Sequence, residues 1–134
     1  MAPFDSITEP TIAALVDRFY EKARQDRVIG PLFNQAVEDW DDHLKRLHAF
    51  WSSVMLTSGR YKGNPMAAHV KHPIEPAFFE RWLALWHQTA HEIFVPHQAA
   101  RFDEKAERIA ESLKLALFFR PDTFGSARKP AASA

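Results

Sequence analysis

The residues in this chain with chemistry to offer are its imidazoles. Seven histidines stand among 134 residues that include no cysteine. Thiolate metal sites, iron–sulfur ligation, disulfides and thiol nucleophiles are therefore excluded. Placed on a helical wheel at ~100° per residue, with Trp40 at zero, His43 falls at about 300°. That lies inside the apolar arc of Trp40, Leu44, Leu47, Phe50, Trp51 and Val54. His48 lies on the margin of that arc. His69 shares an inward face with Met66 and Val70, whereas His72 falls off it. His87 and His91 are four apart, a spacing that puts two ligands on one helix face. They lie opposite the Trp82/Trp86 stripe, however, and read as a solvated polar face. His97 belongs to a helix start and carries no signal alone.

Two inward imidazoles on separate helices admit two readings. One is a pair of core histidines satisfied by backbone carbonyls. The other is metal ligation, for which neutral imidazole suits iron. No inward cluster of carboxylates accompanies them, so a non-haem iron triad or a di-iron site lacks its oxygen ligands. A haem needs only one histidine, because the porphyrin brings four nitrogens, and the rest of its pocket is apolar and aromatic. With 11 Phe, 4 Trp and 2 Tyr, the composition provides that lining.

The elements that must position these residues are helices. Only 4 glycines occur and no segment alternates with period two, so the fold class is all-α. A first helix begins near Thr8, with Pro10 in its first turn, carries Ile12, Leu15, Val16, Phe19 and Ala23 on one face, and ends around Asp26. Gly30-Pro31 breaks the pattern and leaves Leu32 and Phe33 as a short apolar turn. A second helix is capped by Asp39, carries Asp41 and Asp42 in its positive first turn, and is closed by Gly59. After a loop containing Tyr61, Pro65 opens a short helix to about Lys71. A helix from Pro76 to about Val95 carries Phe78, Trp82, Leu85, Trp86, Thr89 and Ile93. The last runs from about His97 to Arg120, with Phe102, Ala106, Ile109, Leu113, Ala116 and Leu117 inward. Residues 1–120 form one domain, and the tail 121–134 reads as disordered.

Charge and hydropathy narrow the function further. Lys+Arg and Asp+Glu both total 17, so there is no basic footprint for nucleic acid. No apolar run reaches the roughly 18 residues of a membrane span. The opening MAPFDSITEP has neither a basic region nor an apolar core, so no signal peptide is expected. A reducing, cytoplasmic location fits the absence of cysteine.

In order and spacing the chain resembles the group III truncated haemoglobins. The resemblance rests on Phe19-Tyr20-Glu21-Lys22, Gly30-Pro31-Leu32-Phe33, Trp40-Asp41-Asp42-His43, Phe50-Trp51, Tyr61-Lys62-Gly63-Asn64-Pro65 with His69, and Phe78-Phe79-Glu80-Arg81-Trp82-Leu83. It spans about residues 5 to 120. The glycine-rich turns of groups I and II are missing, as they are in group III. The resemblance implies a shortened globin fold, a two-over-two helical sandwich around haem b. It makes His69 the proximal ligand to iron. It makes Tyr20 and Trp82 distal hydrogen-bond donors, His43 a distal histidine that can gate the pocket, and Phe33 a ring packed on the porphyrin. Leu47 becomes a further distal contact and Tyr61 a cofactor-binding residue.

Implied partners are oxygen, nitric oxide and carbon monoxide, with a reductase to supply electrons, and a monomer is expected. Two distal donors favour retention of a polar ligand, and hence nitric oxide dioxygenase or peroxidase-like chemistry, over bulk oxygen transport. An oxygen or redox sensor with a His43-gated haem, and a haem-free helical interaction module, are the competing readings. Arg46, Arg60, Tyr61 and Lys62 are near enough in sequence to face haem propionates, although for any one of them a solvated surface is the better reading.

Overall fold

The computed structural model describes residues 2–65, 69 and 74–118. Five helices organise them: α1 (Glu9–Ala23), α2 (Gly30–Ala36), α3 (Trp40–Leu56), α4 (Pro76–Ile93) and α5 (Pro96–Phe118). No strand occurs among the described residues. One isolated parallel bridge joins Phe4 to Phe94 and ties the N-terminal segment to the corner between α4 and α5.

Local signals account for most helix ends. Thr8 caps α1 in a reciprocal box. Its hydroxyl accepts from the Thr11 N–H, and the Thr11 hydroxyl accepts from the Thr8 N–H at 2.8 Å. Asp39 caps α3 by accepting from the Asp42 N–H at 3.2 Å. Prolines occupy the first turns of α1, α2 and α4, where a missing N–H leaves no hydrogen bond unmade.

Three boundaries differ from expectation. The Gly30-Pro31 pair starts α2 instead of ending in a turn, because Pro31 pre-sets a helical φ while Gly30 supplies clearance. A Cβ on Gly30 would sit 2.9 Å from the Arg24 carbonyl oxygen and 3.1 Å from that of Ala23. The C-cap of α3 is Thr57, in the left-handed region at φ 58°, and not Gly59. Helix α5 begins at Pro96 itself, so the proline opens that helix rather than standing outside it. Met66, Val70, His72 and the tail 121–134 lie outside the described residues, as does most of the short helix expected before Lys71.

The helices form two pairs. α4 packs most extensively on α5, from which only Phe94 and Val95 separate it, and α1 packs on α3 and reaches across to α4. Indoles fill the contact between the pairs. Trp51 of α3 stacks on Trp86 of α4 with ring centroids 4.4 Å apart, and Trp86 lies parallel to Trp82 at 5.8 Å. Phe19 meets Trp86 edge-on at 5.1 Å, and Phe102 closes the far side against Trp51. Trp51, Trp86, Phe19 and Phe102 are all fully buried. Truncating a ring this well packed costs about 3–5 kcal/mol. The aromatic excess thus serves first as a rigid centre, and the remaining aromatics ring a space beside it.

One polar contact holds α4 to the corner after α1. The Asp26 carboxylate accepts from the Val28 and Ile29 N–H groups at 3.0 and 3.1 Å and from Arg81 at 2.6–2.8 Å, with its side chain only 6% exposed. The Arg81 guanidinium, aided by those backbone donors, holds the carboxyl below its ordinary pKa against the opposing effect of burial. A lowered folded pKa means stability that is fully present above the ordinary carboxylate value and is lost as pH falls through the folded one. Asp26→Asn is therefore expected to cost about 1–3 kcal/mol near neutrality. Urea unfolding of both proteins should show the gap narrowing as pH drops below about 4, the free-carboxylate range. A gap independent of pH would show that the charge is not what matters.

Candidate functional site

Beside the indole stack, between α1, α3, α4 and α5, a cavity of about 190 Å³ opens. Its walls are apolar: Phe33 from α2, Leu47 and Phe50 from α3, Phe78 from α4, and Ile109 and Leu113 from α5. A second, outer space of about 380 Å³ adjoins it between α2 and α3, lined by Leu32, Val37 and Ile74 and edged by Glu38, Asp39, Asp42 and Arg46. Phe33, His43, Arg46, His69 and Phe78 line both. The two are lobes of one crevice, dry inside and charged at the rim, of the size and character that takes a flat amphipathic ligand.

His69 stands where the lobes meet. Its Nδ1 lies 2.6 Å from the carbonyl oxygen of Pro65, one helical turn back. A carbonyl can only accept, so Nδ1 carries the proton and donates. In the neutral ring this leaves the lone pair on the other nitrogen, Nε2. This is how proteins present imidazole to a metal, with the second nitrogen tied to an acceptor that fixes the tautomer and ring orientation.

Tyr20, Trp82 and His43 add further polar groups to the inner lobe. Tyr20 sits at the edge of the apolar arc of α1, an address that suits a surface residue as well as a pocket one. The structure buries it, 5% exposed, edge-on to Phe19, Phe33 and His43 at 4.8–5.6 Å. Burial pushes its pKa far above the usual phenol range, an effect that the nearby Trp82 indole N–H opposes only in part. Tyr20 is a neutral O–H donor at any physiological pH. Tyr20 and Trp82, the two donors the resemblance implies, both line this lobe. His43 completes the group. Its ring lies edge-on to Tyr20 and Trp40, and its Nε2 is buried with no hydrogen-bond partner among the described residues. Burial lowers its pKa, with the nearby Arg46 charge adding to the effect, so the ring is held neutral.

The remaining residues divide clearly. Leu47, Phe33 and Tyr61 line the crevice, Tyr61 with its ring 5.2 Å from and perpendicular to Phe50. Arg46 lines both lobes and pairs with Asp42 at 2.9 Å. Arg60 turns away and pairs with Glu9, which also accepts from Ser52. His48 pairs with Asp17 at 2.7 Å, outside the crevice. Sequence reasoning placed Phe50, Phe78, Ile109 and Leu113 on apolar helix faces without assigning them to the site. Periodicity shows that a residue faces inward, not whether it meets a neighbour or a cavity.

These residues fit a haem. A single base with a free Nε2, apolar walls on both sides of it, a buried partnerless nitrogen and a buried phenol donor form the donor set that a porphyrin carrying its own four nitrogens requires.

Comparison with known proteins agrees with this reading. The family model described as "Bacterial-like globin" matches residues 3–117. The chain is 32% identical over 120 residues to the group 3 truncated hemoglobin ctb of Campylobacter jejuni, covering 86% of this chain and 94% of that protein. The crystal structure of the group III truncated hemoglobin from Campylobacter jejuni is similar throughout, with a TM-score of 0.82 at 30% identity, covering 94% of this chain and all of that one. An all-helical fold with one imidazole base in an aromatic crevice thus has a family: the chain belongs to the bacterial-like globins and, among them, to the group III truncated haemoglobins, which are haem-binding proteins.

Proposed function

We propose that this globin holds haem b through His69 and uses the inner lobe to bind oxygen, nitric oxide or carbon monoxide. In this reading Tyr20, Trp82 and His43 favour retention and redox turnover of the ligand over bulk transport. The observation that carries the reading is the Nδ1–H of His69 given to the Pro65 carbonyl, which leaves Nε2 as the one oriented base in the crevice. When bound, haem iron supplies reversible binding of diatomic gases and one-electron chemistry. The chain supplies everything that tunes them.

Phe33, Leu47, Phe50 and Phe78 exclude water from the crevice, which strengthens every hydrogen bond formed inside it. Tyr20 offers its phenol proton to a polar ligand in the inner lobe, and the Trp82 indole N–H on the same lobe is a second donor. A hydrogen bond onto a partly charged acceptor contributes about 1.5–3 kcal/mol, tenfold or more in a dissociation rate. Ligands without such polarity gain little, so the site discriminates by charge. Tyr61 closes the inner lobe, and Arg46 at the rim stands where a carboxylate edge of the cofactor would meet a cation. A ligand that leaves slowly is a poor cargo but a good substrate. This favours nitric oxide detoxification or peroxide reduction, with electrons from a reductase.

A second reading rests on the partnerless Nε2 of His43, held neutral inside the crevice. A neutral imidazole with no bond to give up can turn toward the space a gas would take, and so gate it, as an oxygen or redox sensor would use. Competition for that space lowers apparent affinity by the fraction of time the pocket is open.

Three measurements test these roles. His69→Gly should lose the Soret band while keeping its helical circular dichroism, and added imidazole should restore the band; a variant that binds haem normally without added base would remove the central claim. Tyr20→Phe should release oxygen about tenfold faster or more. Trp82→Phe should also speed release, and equal off-rates in Tyr20→Phe and wild type would refute the donor role. His43→Leu should bind carbon monoxide faster after flash photolysis, and an unchanged association rate would eliminate the gate.

A further inference from the structure

On the opposite face of α4 from the indoles, two imidazoles and a carboxylate converge away from the crevice. His87 and His91 lie one turn apart on α4, their ring centroids 4.2 Å from each other. Asp103 reaches them from α5. Its Oδ2 is 2.9 Å from Nδ1 of His87 and 2.7 Å from Nε2 of His91, and the three ligand atoms all lie within 4.8 Å of one another. We infer that His87, His91 and Asp103 form a divalent-cation site of the zinc class, with two nitrogens and one oxygen from the chain and the remaining position open to water.

The chemistry of the donor set selects the ion. Imidazole favours zinc, copper and nickel over magnesium and calcium, which prefer all-oxygen shells. Zinc takes three protein ligands and a water in tetrahedral sites, with bonds of about 2.0–2.2 Å. Such bonds set neighbouring ligand atoms roughly 3.4 Å apart. The two N···O pairs need only open by a fraction of an ångström to admit the ion. Each imidazole that now donates to Oδ2 shifts its proton to its other ring nitrogen, and the freed lone pairs and the carboxylate oxygen turn to the cation.

The site is accessible yet anchored. His87 is 63% exposed and His91 35%, whereas Asp103 is only 16% exposed and sits between them. The residues that neighbour it along each helix, Trp86, Thr89 and Ala90 on α4 and Ala99, Phe102 and Ala106 on α5, are buried. The two helices cannot easily spread, so the ligands are presented by rigid elements. A bound ion would link α4 to α5 across their interface and stabilise the native state by mass action.

The test uses the full-length, haem-loaded protein titrated with zinc chloride in a non-chelating buffer, followed by isothermal calorimetry and by thermal unfolding. One equivalent should bind and raise the unfolding midpoint. His87→Ala, His91→Ala and Asp103→Asn should each weaken binding at least tenfold, whereas His97→Ala should leave it unchanged. His87 is exposed enough that its replacement leaves the fold intact, so this variant decides the question even if Asp103→Asn proves unstable. No zinc binding would overturn the site and leave the cluster as hydrogen bonds between helices. Binding that survives all three substitutions would equally overturn it, assigning the ion to another histidine or to the cofactor.

Discussion

One hydrogen bond sets the polarity of the whole crevice. By giving its Nδ1–H to the Pro65 carbonyl, His69 can present only Nε2 as a base, and it presents it where the inner and outer lobes join. A free imidazole in a dry pocket would choose its tautomer and rotamer by whatever partner it met. Here the helix backbone makes the choice before any ligand arrives. The other polar groups acquire their meaning relative to that nitrogen: Tyr20 and His43 line the same inner lobe, and Arg46 marks the charged rim.

The aromatic residues serve two purposes that composition alone does not separate. Trp51, Trp86, Phe19 and Phe102 are core, interlocked between the helix pairs. Phe33, Phe50 and Phe78 are wall, in contact with the core on one side and with open space on the other. Trp82 belongs to both. Its ring continues the stack with Trp86, and it lines the inner lobe together with Tyr20. Trp82 is therefore braced from behind by the packed indole stack. The Trp86 indole, by contrast, has no hydrogen-bond partner among the described residues, and its role is packing.

A short chain with few glycines achieves this by turning corners cheaply. Gly30 lets the chain pass against the carbonyls of the preceding helix end, and Asp26 pins that same corner to Arg81 of α4. Both devices lie between α1, which carries Tyr20, and α2, which carries Phe33. The spacing of two crevice residues thus depends on a corner that touches neither lobe.

By itself the sequence determined the helical class, the inward face of each helix and the caps Thr8 and Asp39, because these depend on contacts within three or four residues. It also placed His43 inward and, through the likeness of Phe19-Tyr20, Trp40 to His43 and Phe78 to Trp82 to a globin family, pointed to the crevice. Only the tertiary structure decided what faces what. It buried Tyr20, which the wheel left on an edge, and brought Trp82 to the same lobe. It turned Arg60 away toward Glu9, and brought Asp103 between His87 and His91, which their own helix presented as a solvated face. Each of these contacts joins residues far apart in the chain, and the angle at which two helices cross is set by side-chain packing between them, which no local period encodes.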